Sequence, residues 1–456
     1  MSNPLPLDAT PVTHKRQLIA YFESGGKPAN KWLIGTEHEK FLLDKTTHLP
    51  VPYEGEHGIG VLMDELQAFG WQPIKEGETV IGLKRGEAAI SLEPGGQFEL
   101  SGAPVHTLHE TTDELRHHLD ELGSVARLLN IDTIGIGFHP VAKRGDVPWM
   151  PKGRYQIMRN YMPKVGSLGL DMMLRTCTVQ VNLDYADEVD MARKFRVSLA
   201  LQPVATALFA NSPFRDGRTS GDLTFRGRVW QHTDPARCNV PEFVFSPTFG
   251  YEHYVDYALN VPMYFVRRND KYIDVSGSSF RDFMQGKLDA LPGEVPTMGD
   301  WVDHLSTLFP PVRLKKFLEM RGADMSTYEM TVALPALWTG LLYDAQSLAA
   351  AETLISQWSA EQRQTMYKEA PRLGLRTPTP LGPMVKLARE VVKLAEDGLR
   401  RRARLNEMGD DETIHLAPLH YLTARGITLA DELNRMERDE WGGSMEPIFK
   451  VCSLFK

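Results

Sequence analysis

The chain has 456 residues, 42% hydrophobic and 24% charged, enough for two or three average domains or one large enzyme domain. Its net charge of −8 is spread along the sequence, which argues against nucleic acid as the main partner but not against small anions held by local arginine clusters. Three scattered cysteines, Cys177, Cys238 and Cys452, supply neither a zinc site nor a disulfide framework and point to a reducing compartment.

The N-terminal stretch has no apolar core of signal-peptide length, and no apolar run approaches the ~20 residues of a membrane span, so the expectation is a soluble cytoplasmic protein. Residues 13–24 have helical spacing, ended by Gly25-Gly26. Residues 32–44 read as a strand with Glu37 and Glu39 on one face and His38 and Lys40 on the other. A helix over 58–70 and two short strands, 79–83 and 88–92, follow. The stretch SLEPGGQFELSGAP (91–104) reads as a strand, a Gly-Gly turn and a strand. Its polar positions are Glu93, Gln97 and Glu99, with Phe98 and Leu100 on the opposite face from Gln97 and Glu99. Residues 107–130 form the clearest amphipathic helix, and 131–138 a strand.

Residues 145–166 read as an irregular binding loop carrying Arg154, Tyr155 and Arg159. Over 174–185 the alternation is strict. Thr176, Thr178, Gln180, Asn182 and Asp184 share one face, while Cys177, Val179, Val181 and Leu183 share the other. A buried helix over 187–209 leads to an arginine-rich loop, 212–237, able to grip carboxylates or phosphates through forked hydrogen bonds. An aromatic-rich packing segment (243–265) and a helix (299–308) precede a strand over 313–322, where Glu319 and Arg321 share a face. Helices are predicted over 334–351, 360–370, 384–405 and 428–440. No Walker A, GxGxxG or GxSxG sequence is present.

Four predicted strands thus carry polar pairs two residues apart: Glu37/Glu39, Gln97/Glu99, Gln180/Asn182 and Glu319/Arg321. If they share an antiparallel sheet with one wet face, they line a carboxylate trough. Crowded carboxylates repel unless cations lie between them, and magnesium ions bridging a polyphosphate meet that need. Arginines from 215–237 and Arg321 then hold phosphate oxygens, which is equipment for phosphoryl transfer rather than for a protein nucleophile.

These residues resemble the plant and proteobacterial type of glutamate–cysteine ligase. The matching stretches are IGTEHEKF (34–41), SLEPGGQFELSGAP (91–104), MMLRTCTVQVNLDY (172–185), GRVWQHTDPARC (227–238), VRLKKFLEMRGAD (312–324) and LPALWTGLLYD (334–344). The resemblance implies an α+β fold, a curved antiparallel sheet flanked by helices as in the glutamine-synthetase catalytic domain. It also implies a single catalytic domain over 1–456, with a helical C-terminal part (334–456) packed on it. The implied reaction uses Mg2+ and ATP to phosphorylate the glutamate side-chain carboxylate, then joins it to the cysteine amino group, giving γ-glutamylcysteine for glutathione biosynthesis. A different amine acceptor is the alternative. By resemblance, Glu37, Glu39, Glu93, Glu99 and Glu319 hold magnesium. Arg237 and Arg321 neutralise the transferring phosphate, and Arg175, Thr176, Thr178, Gln180 and Asn182 lie near the substrates. The implied partners are small molecules only, with no nucleic acid or membrane, in a monomer or homodimer. Plant members carry cysteine pairs that tune activity by redox state. Three scattered cysteines cannot reproduce two such bridges, so that form of switching is not expected.

Overall fold

The computed structural model describes residues 8–269 and 271–455. Its organising strand is β1 (Ile34–Asp44), which pairs on both sides. In chain order the other strands of its sheet are β2 (Gln72–Glu76), β3 (Thr79–Arg85), β4 (Ala88–Leu92), β5 (Phe98–Ser101), β6 (Ile131–Ile134), β7 (Thr178–Leu183), β8 (Val312–Leu314) and β9 (Leu318–Asp324). The spatial order is β8-β9-β7-β1-β5-β4-β3-β2, with β6 pairing the far end of β1, and every pairing is antiparallel. The protein is therefore α+β, with one broad antiparallel sheet and helices packed on it.

Side-chain alternation decides which face is covered. Val179, Val181 and Leu183 of β7 and Met320 of β9 enter the large apolar core. The helices that cover this side are α1 (Leu108–Leu128), against β1 and β6; α4 (Glu188–Leu208), against β9; and α6 (Tyr328–Leu342), against β7 and β1. The opposite polar face is roofed by α2 (Gly153–Val165), α3 (Gly169–Arg175) and α5 (Phe225–Gln231). Helix α1 starts where a capping box places it. Thr107 accepts from the Glu110 N–H, and the Glu110 carboxylate reaches back to the Thr107 N–H. Among the described residues no helix is long and apolar enough to cross a membrane.

Several predicted elements differ in form. The expected loop over 145–166 contains α2, whose Pro163 sits near the helix end, and so it is a structured roof. The expected strand over 174–185 is shorter. Arg175 closes α3 and only Thr178–Leu183 pairs as β7, so Arg175 and Thr176 stand outside the alternating register. The expected strand over 313–322 is the β8–β9 hairpin. The predicted helix over 334–351 is broken after Leu342, where Asp344 accepts from the Ser347 N–H and caps a new helix, Ala345–Ile355. Within the arginine-rich loop, Thr224 caps α5 by accepting from the Gly227 N–H.

Candidate active site

The strand register brings the carboxylates together. Glu39 lies directly across from Glu99 on the β1–β5 pair, Glu37 across from Gln180 on β1–β7, and Glu319 across from Asn182 on β9–β7. Each is anchored. The Ser91 hydroxyl, opposite Glu99 on β4, donates to Glu99 Oε2 at 2.5 Å. Asn182 Nδ2 donates to Glu37 Oε1 at 2.8 Å, and the Thr178 N–H to Glu39 Oε2 at 3.0 Å. The Asn182 Oδ1 acceptor, by contrast, is buried without a hydrogen-bond partner.

The sheet is irregular where function concentrates. The β9–β7 register shifts between Met320 and Ala323, a bulge that re-aims the side chain at Arg321. Arg321 Nη1 donates to Glu319 Oε2 at 2.8 Å and also to Gln180 Oε1. Glu319 itself is saturated. It accepts from Arg313 Nε at 2.6 Å and Nη2 at 3.0 Å, and from Lys315 Nζ at 2.9 Å, in addition to Arg321.

The electrostatics divide the carboxylates into two kinds. Burial alone would raise Glu319, but Arg313, Lys315 and Arg321 overcome it and hold its carboxyl well below the usual range. Glu39 is pushed well above that range by burial and then by Glu93 and Glu99. Glu99 rises to about 7, by burial first and then by repulsion from Glu93 and Glu37. Glu39 and Glu99 are therefore pushed toward the neutral form, while Glu319 is held ionised by its three cationic partners.

A cleft of about 550 Å³, open mouth included, lies over this face. Its lining includes the acidic Glu39 and Glu93, the basic Arg154, Arg226 and Arg321, and the aromatic Trp230 and Phe309. Arg226 is 3% exposed and donates from Nη2 to the Arg321 carbonyl at 3.0 Å; burial lowers its basicity. The Nε groups of Arg226 and Arg154 are buried without partners, donors available to an anion.

The cleft is lined by Glu39, Glu93, Thr176, Thr178 and Arg321 of the expected residues. Glu37, Glu99, Gln180 and Asn182 belong to the hydrogen-bonded wall beside it. Two arginines are elsewhere. Arg237 is fully buried, with Nε on Asp234 at 2.6 Å, Nη1 on the Thr307 carbonyl at 3.1 Å, Nη2 on the Pro262 carbonyl at 2.7 Å and its plane over Tyr264. All three nitrogens hold loops together, and Arg237 does not line the cleft as Arg321 does. Arg175 bridges Asp171 and Asp216 and stacks on Phe138, which fixes α3 rather than a substrate. Glu319, expected as a metal ligand, is spent on three cationic side chains. Sequence reading did not single out Ser91, Arg313, Lys315 or Phe309. Only Ser91 had a signal, because it falls on the same face as Glu99 once the Gly-Gly hairpin is drawn.

Residues 33–451 match the profile of Glutamate-cysteine ligase family 2 (GCS2). The chain belongs to that family. It is 52% identical over 443 residues to the chloroplastic glutamate–cysteine ligase of Nicotiana tabacum, covering 97% of this chain and 83% of that one. To the chloroplastic glutamate–cysteine ligase of Arabidopsis thaliana it is 51% identical over 443 residues, again 97% and 83% of the two chains. A glutamate–cysteine ligase of Francisella tularensis, crystallised in complex with AMP, shares the fold at a TM-score of 0.56 and 10% identity, over 92% of this chain and 87% of that one. The relatives' names overturn the expected cytoplasmic location: those relatives are named as chloroplastic enzymes. Scattered free thiols fit any reducing compartment, so cysteine usage could not separate the two.

Proposed function

We propose that this chain is a glutamate–cysteine ligase that uses ATP to join the side-chain carboxylate of glutamate to the amino group of cysteine, giving γ-glutamylcysteine for glutathione biosynthesis. Family membership and the relatives' names support the substrates. The observation that carries the chemistry is the cross-strand pair Glu39–Glu99, two buried carboxylates facing each other across the strands.

That pair suits a hard cation. Among the described residues no three His, Cys, Asp or Glu side chains converge as a ready-made metal cage. This agrees with magnesium, which is commonly held by one or two carboxylates while substrate phosphates and waters complete its shell. Glu39 and Glu99 would hold Mg2+, which when bound supplies charge neutralisation for the phosphates.

The remaining steps fall to the chain's own groups. Arg154 and Arg226 offer unpartnered N–H donors to the α-carboxylate of glutamate. A γ-carboxylate oxygen of glutamate attacks the terminal phosphorus of ATP; the bond to ADP breaks and the acyl phosphate forms. Arg321, steadied by Glu319 and Gln180, balances charge on the transferring group. The cysteine nitrogen then attacks the acyl carbon, inorganic phosphate leaves, and the nitrogen gives up its proton. No thiol of the chain takes part: all three cysteines are buried, and burial pushes Cys177 well up and Cys238 and Cys452 to about 12. We read the chain as one catalytic domain. The test is ADP release with Mg-ATP and glutamate, with and without cysteine, identifying products by mass. Cysteine-dependent γ-glutamylcysteine is the expected product, and turnover with a different amine only would replace the acceptor.

A further inference from the structure

A second cavity shares no lining residue with the cleft. It lies between α1, the first turn of α6, a helix over Leu429–Asp439 and the C-terminal residues 451–454, and measures about 1140 Å³, mouth included. The last residues are fixed there because they extend the sheet. Ser453 bridges Ile134 of β6, and the Leu454 N–H donates to the Thr133 carbonyl at 3.0 Å. The walls are apolar, from Leu119, Leu433, Met436 and Leu454, while Asp120, Glu329 and Glu432 make the rim acidic. The one base in the lining, Arg116, is paired with Asp113 at 3.1 Å, and Glu432 with Arg425 at 2.8 Å. With those partners counted, four acids face two bases.

The floor is Asn211, which is 4% exposed. Both N–H bonds of its side-chain amide are spent, on the Gly135 carbonyl at 3.2 Å and the Met325 carbonyl at 3.0 Å. Its Oδ1 accepts no hydrogen bond among the described residues, so one acceptor faces the cavity. Asn211 is also connected to the cleft. Its backbone N–H donates to Asp324 Oδ2 at 2.9 Å, and Asp324 Oδ1 accepts from the Thr224 hydroxyl at 2.7 Å. Thr224 caps α5, the helix that carries Arg226 into the cleft.

We propose that this cavity is an effector site for an organic amine with an apolar body. The body sits on the leucines and Met436, an N–H or O–H at its inner end donates to Asn211 Oδ1, and its ammonium group meets the acidic rim. An apolar cavity with a few placed polar groups is the usual form of a small-molecule site. The rim disfavours anions, the substrate glutamate among them. Occupancy reaches activity through the hydrogen-bonded chain Asn211–Asp324–Thr224. A ligand that draws on Asn211 bears on the cap of α5 and so on Arg226, which the ligase reading sets on the glutamate α-carboxylate. The site itself goes beyond that reading; only its effect on activity rests on it.

The experiment is calorimetry of the full chain with tryptamine, whose indole supplies the apolar body and the N–H and whose ethylammonium supplies the charge. One-to-one binding is expected. 1-Methyltryptamine lacks the ring N–H and indole-3-propionate reverses the charge; each should bind about tenfold more weakly. Met436→Trp fills the cavity and should weaken tryptamine binding at least about tenfold. Asp120→Asn with Glu432→Gln, both near the surface, should do the same and keeps the test alive if the filled variant does not fold. Saturating tryptamine should also shift KM for glutamate at least about twofold in wild type, and not in Met436→Trp. Equal binding of all three indoles, affinity unchanged in both variants, or no binding at about 10 mM tryptamine would overturn the site. Binding that leaves KM for glutamate unchanged would overturn the effector role. A wild type without turnover would sink the ligase reading and the effector role with it, while the calorimetry still decides the site.

Discussion

At the scale of single residues, two buried groups of opposite charge sit back to back on β1 and its partner. Glu99 on the polar face has its carboxyl pushed up to about 7 from 4.5. A carboxylate with a raised folded-state value stabilises the fold fully below its unfolded value, and that contribution disappears as pH rises through the folded one. The metal-free protein should therefore lose stability between about pH 4.5 and about 7. Thermal melts in EDTA across that range should show a falling Tm that Mg2+ restores and that Glu99→Gln flattens. The same variant should lower kcat by at least ~100-fold, the scale of losing one preorganised electrostatic group; near-normal turnover would remove Glu99 from the metal site. On the other face, Lys40 is fully buried, with a long 3.4 Å contact to the Phe98 carbonyl and its ammonium 6.0 Å from the Phe98 ring centroid. Burial depresses its ammonium to about 7 from 10.5. The cost is complete below pH 7 and fades toward 10.5, so Lys40→Met should stabilise the fold by about 1–3 kcal/mol at neutral pH. The gain in denaturant melts should shrink as pH rises.

At the scale of elements, the β9 bulge is the feature to perturb. Gly322→Ala places a methyl against the Gln202 amide. Overpacking of this kind costs about 1–3 kcal/mol, and here it also shifts Arg321. A folded Gly322→Ala protein with reduced kcat is the expected result, checked by urea melts alongside turnover. The bulge also marks the limit of what the sequence discloses. The pairs Glu37/Glu39, Gln180/Asn182 and Glu319/Arg321 were legible because strand side chains repeat every two residues. Which glutamate is free to bind a cation was not legible. Glu319 is saturated by Arg313, a cross-strand neighbour visible only after the 313–322 run is seen to fold back as a hairpin. Among the arginines, spacing could not tell that Arg226 at the start of α5 enters the cleft while Arg237 turns inward to Asp234. Helix α2 was hidden by flanking glycines and Pro163, and its roofing role depends on contacts far away in sequence, such as Tyr155 Oη to the Leu92 carbonyl at 2.5 Å.

At the scale of the whole molecule, the sheet divides labour between its faces: apolar residues pack on α1, α4 and α6, and polar ones define the site. The three thiols all lie in buried positions, and none is bonded to another. Activity should accordingly change less than about twofold between reducing buffer and oxidised glutathione, because buried neutral thiols react slowly. Thiol-reagent titration should count few reactive groups in the native protein and three after denaturation. A reversible activation or inactivation by oxidant would show a device that these positions do not provide.

The unneutralised Glu39–Glu99 pair also ties the chain's persistence to its surroundings. A ligand that binds only the folded form stabilises it by about 2.7 kcal/mol at a hundred times its dissociation constant. In a two-state fold that is roughly a hundredfold fall in the fraction of molecules open to a protease. If the proposed Mg2+ site at these two carboxylates is occupied, the chain's half-life becomes a gauge of free magnesium and nucleotide.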